Sequence, residues 1–114
     1  MDRMRDPERL ERRAAIMAAL AHPSRLRMIE RLEAGGLTVS ELTELVGSDI
    51  STVSRHISVL HRAGILSCSR EGNRRRYSLR AACVLGFLDC VEDAVEAGSG
   101  TCGRDFRRSG EADA

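Results

Sequence analysis

Residues 37–66 read LTVSELTELVGSDISTVSRHISVLHRAGIL. Two apolar patterns at helical spacing share this stretch, and one glycine divides them. In the first, Val39, Leu42, Leu45 and Val46 make one face of a short helix that ends at Gly47. In the second, Ile50, Val53, Ile57 and Leu60 point inward along a longer helix, capped by Ser48 or Asp49 and ended by Gly64. Two helices joined by a tight turn, the second carrying small polar side chains outside, make a helix-turn-helix. A helix that enters the major groove needs short hydrogen-bonding side chains near its N-terminus. Ser51, Thr52, Ser54, Arg55 and His56 supply them, while Val53 and Ile57 hold the helix to a core. Solvent exposure alone also produces a polar helix face, so the flanking sequence has to decide.

On the C-terminal side, residues 65–79 read ILSCSREGNRRRYSL, and the period changes. Two short runs flank Glu71-Gly72-Asn73, and Gly-Asn is a hairpin turn signal. A β-hairpin is expected over 65–70 and 74–79. From Arg62 to Arg80 six arginines stand against one acid, Glu71. A basic zone on a near-neutral chain is the footprint of a DNA-binding edge. Arg74, Arg75 and Arg76, beside the hairpin tip, would lie along the phosphate backbone as a wing.

Working outward, residues 6–21 show a helical pattern through Leu10, Ile16, Met17 and Leu20, with Pro7 suited to a first turn. Pro23 breaks it. A second helix follows with a Leu26, Ile29 and Leu32 stripe, stopped by Gly35 and Gly36. Residues 81–97 return to helix, with Val84, Phe87, Leu88, Val91 and Val95 on one face and Asp89, Glu92, Asp93 and Glu96 on another. From Gly98 the chain turns small and polar. The expected architecture is mainly α with a small β-hairpin, a winged helix-turn-helix over residues 1–98. A flexible tail over 99–114 would carry Cys102.

The chain has 114 residues, enough for one small domain, with 42% apolar and 31% charged residues and a net charge of +1. No apolar run approaches the roughly 18 residues of a membrane span. The charged start MDRMRDPERLERR has no apolar signal core behind it. A cytoplasmic location is expected, with no membrane partner and with reduced thiols. Metal binding or redox chemistry then becomes the functional class for the four cysteines, against the alternative of small core residues.

Three segments in consecutive order carry a family resemblance: LAHPSRLRMIERL at 20–32, the stretch 37–66, and SREGNRRRYSL at 69–79. Together they resemble the ArsR/SmtB metalloregulators, over about residues 16–80. The resemblance implies a winged helix-turn-helix homodimer that binds palindromic double-stranded operator DNA as a repressor and releases it on binding metal. It also implies dimerisation through the first and last helices. Two of the family's metal sites are missing. Where arsenic and cadmium sensors carry paired cysteines in the third helix, this chain has Thr38 and Ser40. Where zinc and nickel sensors carry histidine on the last helix, this chain has none.

The cysteines therefore have to be read on their own. On a helical wheel Cys83 and Cys90 share a shoulder with Gly86 and Ala94, about a quarter-turn from the apolar face. Seven residues of helix rise about 10 Å, so one straight helix cannot easily bring both thiolates to one ion. The site would then use Cys83 at or before the first turn, or draw on both chains across Gly86. Cys102, on the Gly-rich tether GSGTCG, would fold back as a third ligand. Thiolates select soft ions, and three of them suit trivalent arsenic or antimony. Cadmium or lead competes, with Cys68 or water completing a fourth position; Cys68 is otherwise structural. His22 and His61 suit capping or surface roles, and His56 a DNA or scaffold contact. A redox or persulfide sensor of the same fold is the alternative. A thiol enzyme ranks last, because no C-x-x-C pair and no oriented Cys-His pair is present.

Overall fold

The computed structural model describes residues 6–101, for 99–101 the backbone alone. The chain divides into two compact units, one ending at Ala81 and one starting at Ala82. In chain order the first holds α1 (Pro7–Leu20), α2 (Pro23–Leu32), β1 (Leu37–Thr38), α3 (Val39–Val46), α4 (Ile50–Arg62), β2 (Leu66–Glu71) and β3 (Arg74–Leu79). The second is α5 (Cys83–Thr101).

Helix starts in the first unit are set by side-chain caps. Asp6 accepts from the Glu8 amide, and His22 Nδ1 accepts from the Ser24 amide at 3.1 Å. Thr38 and Glu41 form a reciprocal capping box on α3: Thr38 Oγ1 accepts from the Glu41 amide at 3.2 Å, and the Thr38 amide donates to Glu41 Oε1 at 2.9 Å. Of the two caps expected for α4, Asp49 takes the position and accepts from the Thr52 amide at 3.2 Å. Gly47 ends α3 at φ +82°, a left-handed conformation that disfavours any side chain.

The core gathers one face of each element. Met28, Ile29 and Leu32 of α2, Leu42 of α3, Val53, Ile57 and Leu60 of α4, and Leu66 of β2 are almost wholly buried. At roughly 1.5–3 kcal/mol for each large side chain removed from water, these eight dominate the favourable side of folding. Ala19 and Leu20, at the end of α1, join them. Met28 was not among the expected stripe residues, while Leu26 of that stripe is half-buried.

The hairpin forms where expected, turning at Gly72 (φ +62°) and Asn73, though Glu71 joins its first strand opposite Arg74 and Cys68 faces Tyr77. A strand that sequence did not suggest adds to it. β1 pairs antiparallel with β3, Leu37 opposite Tyr77 and Thr38 opposite Arg76, giving the order β1-β3-β2. The wing is thereby stitched to the start of α3.

α5 departs from expectation at its end. It continues through Gly98 to Thr101, past the boundary placed at 98. A glycine inside a helix costs only about 1 kcal/mol relative to alanine, too little by itself to stop one. Phe87, Val91 and Val95 are exposed on it. No helix among the described residues is long and apolar enough to cross a membrane.

Candidate nucleic-acid interface and thiol positions

α3, the turn at Gly47-Ser48-Asp49 and α4 make the helix-turn-helix. Along α4, Ser51, Ser54 and Arg55 are exposed, and Thr52 is half-buried. Ser58 and Arg62, also exposed, continue the same face at i+3 and i+4 spacing. The periodicity already implied these two, which the sequence reading left out by stopping at the first two turns. Asp49 shapes the start of this surface. Its carboxylate accepts from the Thr52 amide and from Ser51 Oγ at 3.2 Å, and these bonds, those of Thr52 foremost, hold it below the usual carboxylate pKa. Ser51 therefore has a competing partner within its own turn.

Two sequence expectations on α4 are corrected. Ile50, expected inward with Val53, is 56% exposed. It occupies the first helical position, at the edge of the apolar arc, where no further turn of the helix covers it. His56, grouped with the DNA-facing residues, is buried on the opposite side. Its Nδ1 accepts from Arg25 Nε at 3.1 Å, and its ring lies 4.5 Å from the His22 ring. Of the two roles considered, the scaffold one matches this placement.

The wing arginines divide in the same way. Arg74 and Arg75 are exposed, as is Arg70 on the facing strand. Arg76 is half-buried and occupied: Nη1 donates to the Gly36 carbonyl at 2.8 Å, Nε pairs with Glu71 Oε2 at 3.1 Å, and Glu41 lies 3.7 Å away. Glu41 sits below its usual pKa chiefly through the Thr38 amide, with Arg76 and Arg74 assisting against partial desolvation. Arg76, expected as a phosphate contact, is thus engaged as a tie between wing and body.

Cys68, Cys83 and Cys90 are free and exposed. Cys68 projects from the wing. Cys83 and Cys90 share α5, seven residues or about 10 Å of rise apart. No group of three metal-ligating side chains is brought together among the described residues. Cys102 and the expected tail from there on lie outside those residues, while 99–101 belong to α5. His22 caps α2, as expected. His61 is exposed at the end of α4, edge-on to Tyr77.

This arrangement matches known proteins in sequence and in shape. The family model described as Helix-turn-helix domain covers residues 20–68. The HTH-type transcriptional regulator Rv0081 of Mycobacterium tuberculosis is 39% identical over 77 residues, 67% of this chain and 68% of that one. A probable mercury resistance operon repressor of Streptomyces lividans is 32% identical over 94 residues, 80% of this chain and 75% of that one. Among solved structures, the homodimeric winged helix-turn-helix domain of Mb0332 from Mycobacterium bovis superposes with a TM-score of 0.69 at 26% identity, covering 74% of this chain and 81% of that one. A possible transcriptional regulator for arsenical resistance superposes with a TM-score of 0.56 at 29% identity, covering 68% and 80%. With a capped reading helix, an arginine-edged wing and relatives this similar over two thirds of its length, the chain belongs to the ArsR/SmtB family of winged helix-turn-helix, DNA-binding transcriptional regulators.

Proposed function

We propose that the protein is a homodimeric repressor that releases operator DNA when trivalent arsenic or antimony binds its cysteine thiolates. The observation that carries this reading is the pair of exposed, free thiols, Cys83 and Cys90, on one helix. Their donor chemistry fits a soft, thiophilic ion. Their spacing does not fit an ion held by those two alone on one chain. Ligands drawn from two chains would meet that requirement, with Cys102 as a further donor. Gly86 lies between the two cysteines, and a Cβ there would meet nothing within 4 Å. Two α5 helices crossing antiparallel at Gly86 would bring Cys83 toward Cys90 of the partner subunit. Exposed apolar side chains on both α1 (Leu10, Ile16, Met17) and α5 (Phe87, Val91, Val95) suit coverage by a second copy. A homodimeric structural neighbour and relatives tied to mercury and arsenical resistance point the same way.

A gel-shift titration tests the reading. A duplex selected by the protein from a random-sequence pool is titrated anaerobically with arsenite, antimonite, cadmium and lead. Arsenite should release the wild type, while Cys83→Ser and Cys90→Ser should abolish release and Cys102→Ser weaken it. Full release of both helix variants would sink the site. Release by a mild oxidant or persulfide donor, with none by metalloids, would favour a thiol-redox sensor on the same residues.

A further inference from the structure

One polar cluster lies off the DNA-facing surface and off the thiol helix. Arg25, in the first turn of α2, makes three bonds that join three elements. Nε donates to His56 Nδ1 at 3.1 Å, in the middle of the reading helix. Nη1 donates to the Ala19 carbonyl at 3.0 Å and reaches the Ala18 carbonyl at 3.5 Å, at the end of α1. The His22 ring, which caps α2, packs tilted against His56.

We propose that Arg25 is a positioning residue for DNA recognition, holding α4 against the end of α1 through His56, and that protonation of His56 releases this hold and weakens operator binding. The proposal rests on DNA binding by α4 and deepens it.

The chemistry follows from the imidazole. A ring nitrogen that accepts a hydrogen bond carries no proton, whereas imidazolium has two donors and no acceptor. Arg25 can only donate. Protonating Nδ1 therefore turns a 3.1 Å hydrogen bond into a donor–donor contact between two cations. The titratable and charged groups that bear on His56 are His22 and Arg25 at the start of α2, and Arg55 on its own helix. α1 contributes backbone carbonyls, through Arg25. All three side chains disfavour a second proton, and with burial as the largest cause they hold the pKa below 6.5. The intact cluster needs neutral His56, so its hold is complete above the ordinary value. It is lost as pH falls from there through the lower folded value. The direction distinguishes this role from a phosphate contact. A histidine touching phosphate binds DNA better when charged, so its affinity would rise in acid.

The test measures affinity of the full chain for the selected duplex from about pH 8 to about pH 5.5, bracketing the ordinary histidine pKa of about 6.5. Ionic strength is held constant, and a random duplex serves as the control. Wild-type affinity for the selected duplex should fall severalfold across the range, and more than for the random duplex. His56→Gln, which keeps an acceptor but cannot titrate, should flatten that ratio. His22→Asn, which keeps a cap, should retain it. Arg25→Met should weaken the selected duplex at pH 8 without changing the salt slope. Should His56→Gln fail to fold, the wild-type His56 ring is followed by NMR with and without duplex, and its pKa should be lower in the complex. A ratio that survives His56→Gln, one abolished only by His22→Asn, an affinity that rises in acid, an Arg25→Met salt slope reduced by about 1, or an equal pKa in both states overturns the proposal. Selective binding at pH 8 with no acid loss sinks this inference alone. No binding at any pH sinks the DNA reading with it.

Discussion

Arg76 on the wing and Gly36 before β1 are bound side chain to backbone, Nη1 to carbonyl oxygen at 2.8 Å across forty positions of sequence. The same guanidinium pairs with Glu71 beside the hairpin turn and lies near Glu41 in the α3 capping box. One side chain therefore connects the wing, the strand that stitches it down and the first helix of the reading motif. With 31% of the side chain still exposed, its ion pairs are screened, and the carbonyl bond is the firmest of its contacts.

Removing Arg76 should loosen the wing rather than delete a phosphate contact. Arg76→Gln is expected to destabilise the protein by about 1–2 kcal/mol in chemical denaturation and to lower DNA affinity with the salt slope intact. Arg74→Gln and Arg75→Gln should each reduce the slope by about 0.9 with little change in stability. Anisotropy titrations at several salt concentrations check both. A reduced slope for Arg76→Gln would return it to the DNA-facing set.

Ile50 offers an apolar surface at the start of the reading helix, beside Ser51. Such a side chain suits contact with a thymine methyl group in the major groove. Ile50→Ala should weaken the selected duplex by about 1 kcal/mol, the scale of one buried methyl or methylene group. Replacing thymines by uracils one at a time should reproduce that loss at a single position, and Ile50→Ala should then be indifferent to the same replacement. Equal sensitivity of wild type and variant at every thymine would exclude the contact.

Acid should destabilise the fold through its caps. Asp49 and Glu41 both have carboxyl pKa values depressed by hydrogen bonds present only in the folded chain. Their contribution is complete above the ordinary values of 3.8 and 4.5 and is lost as pH falls through the lower folded ones. Asp49→Asn keeps a capping oxygen and should shrink the acid-side fall in denaturation midpoint. Thr38→Ala breaks the capping box and should cost about 1 kcal/mol at neutral pH. An unchanged acid profile for Asp49→Asn would remove Asp49 from this account.

The apolar side of α5 should be an assembly surface. Val91 is 42% exposed and sits between Phe87 and Val95 on that helix. Val91→Asp should give monomers or insoluble protein, because a charge would enter an apolar seam without a partner. Sedimentation velocity separates the outcomes, and a soluble dimer would show that this face stays in water.

The helix-turn-helix was legible in sequence because its signals are local. Gly47 supplies the left-handed residue, Asp49 the cap, and Val53, Ile57 and Leu60 the 3.6-residue stripe. The hairpin was legible for the same reason, from Gly72 and Asn73. β1 was not, because two residues carry no period and only their pairing with Tyr77 and Arg76 makes them a strand. Nor could sequence separate Arg76 from Arg74 and Arg75. Strand alternation sets Arg75 on the opposite face, but Arg74 shares its face with Arg76, and only the Gly36 carbonyl marks Arg76 out. His56 fell among polar neighbours in the chain, while its partners Arg25 and His22 stand over thirty residues away. For the thiols, sequence supplied donor type and spacing, and α5 leaves both Cys83 and Cys90 open to solvent.

The side-chain caps at Asp6, His22, Thr38 and Asp49 each act within two or three residues of their own helix. Where each helix of the first unit begins is thus decided over a few bonds of chain, before any distant contact forms. A chain that starts its helices this way searches mainly over how preformed rods pack, and small, mostly helical proteins with local contacts fold in about microseconds to milliseconds. The slower step left to it is the closure of β1 onto β3, across almost forty residues, so the wing should be the last part of the first unit to reach its place. A nascent copy would then hold a finished reading helix before it holds a finished wing.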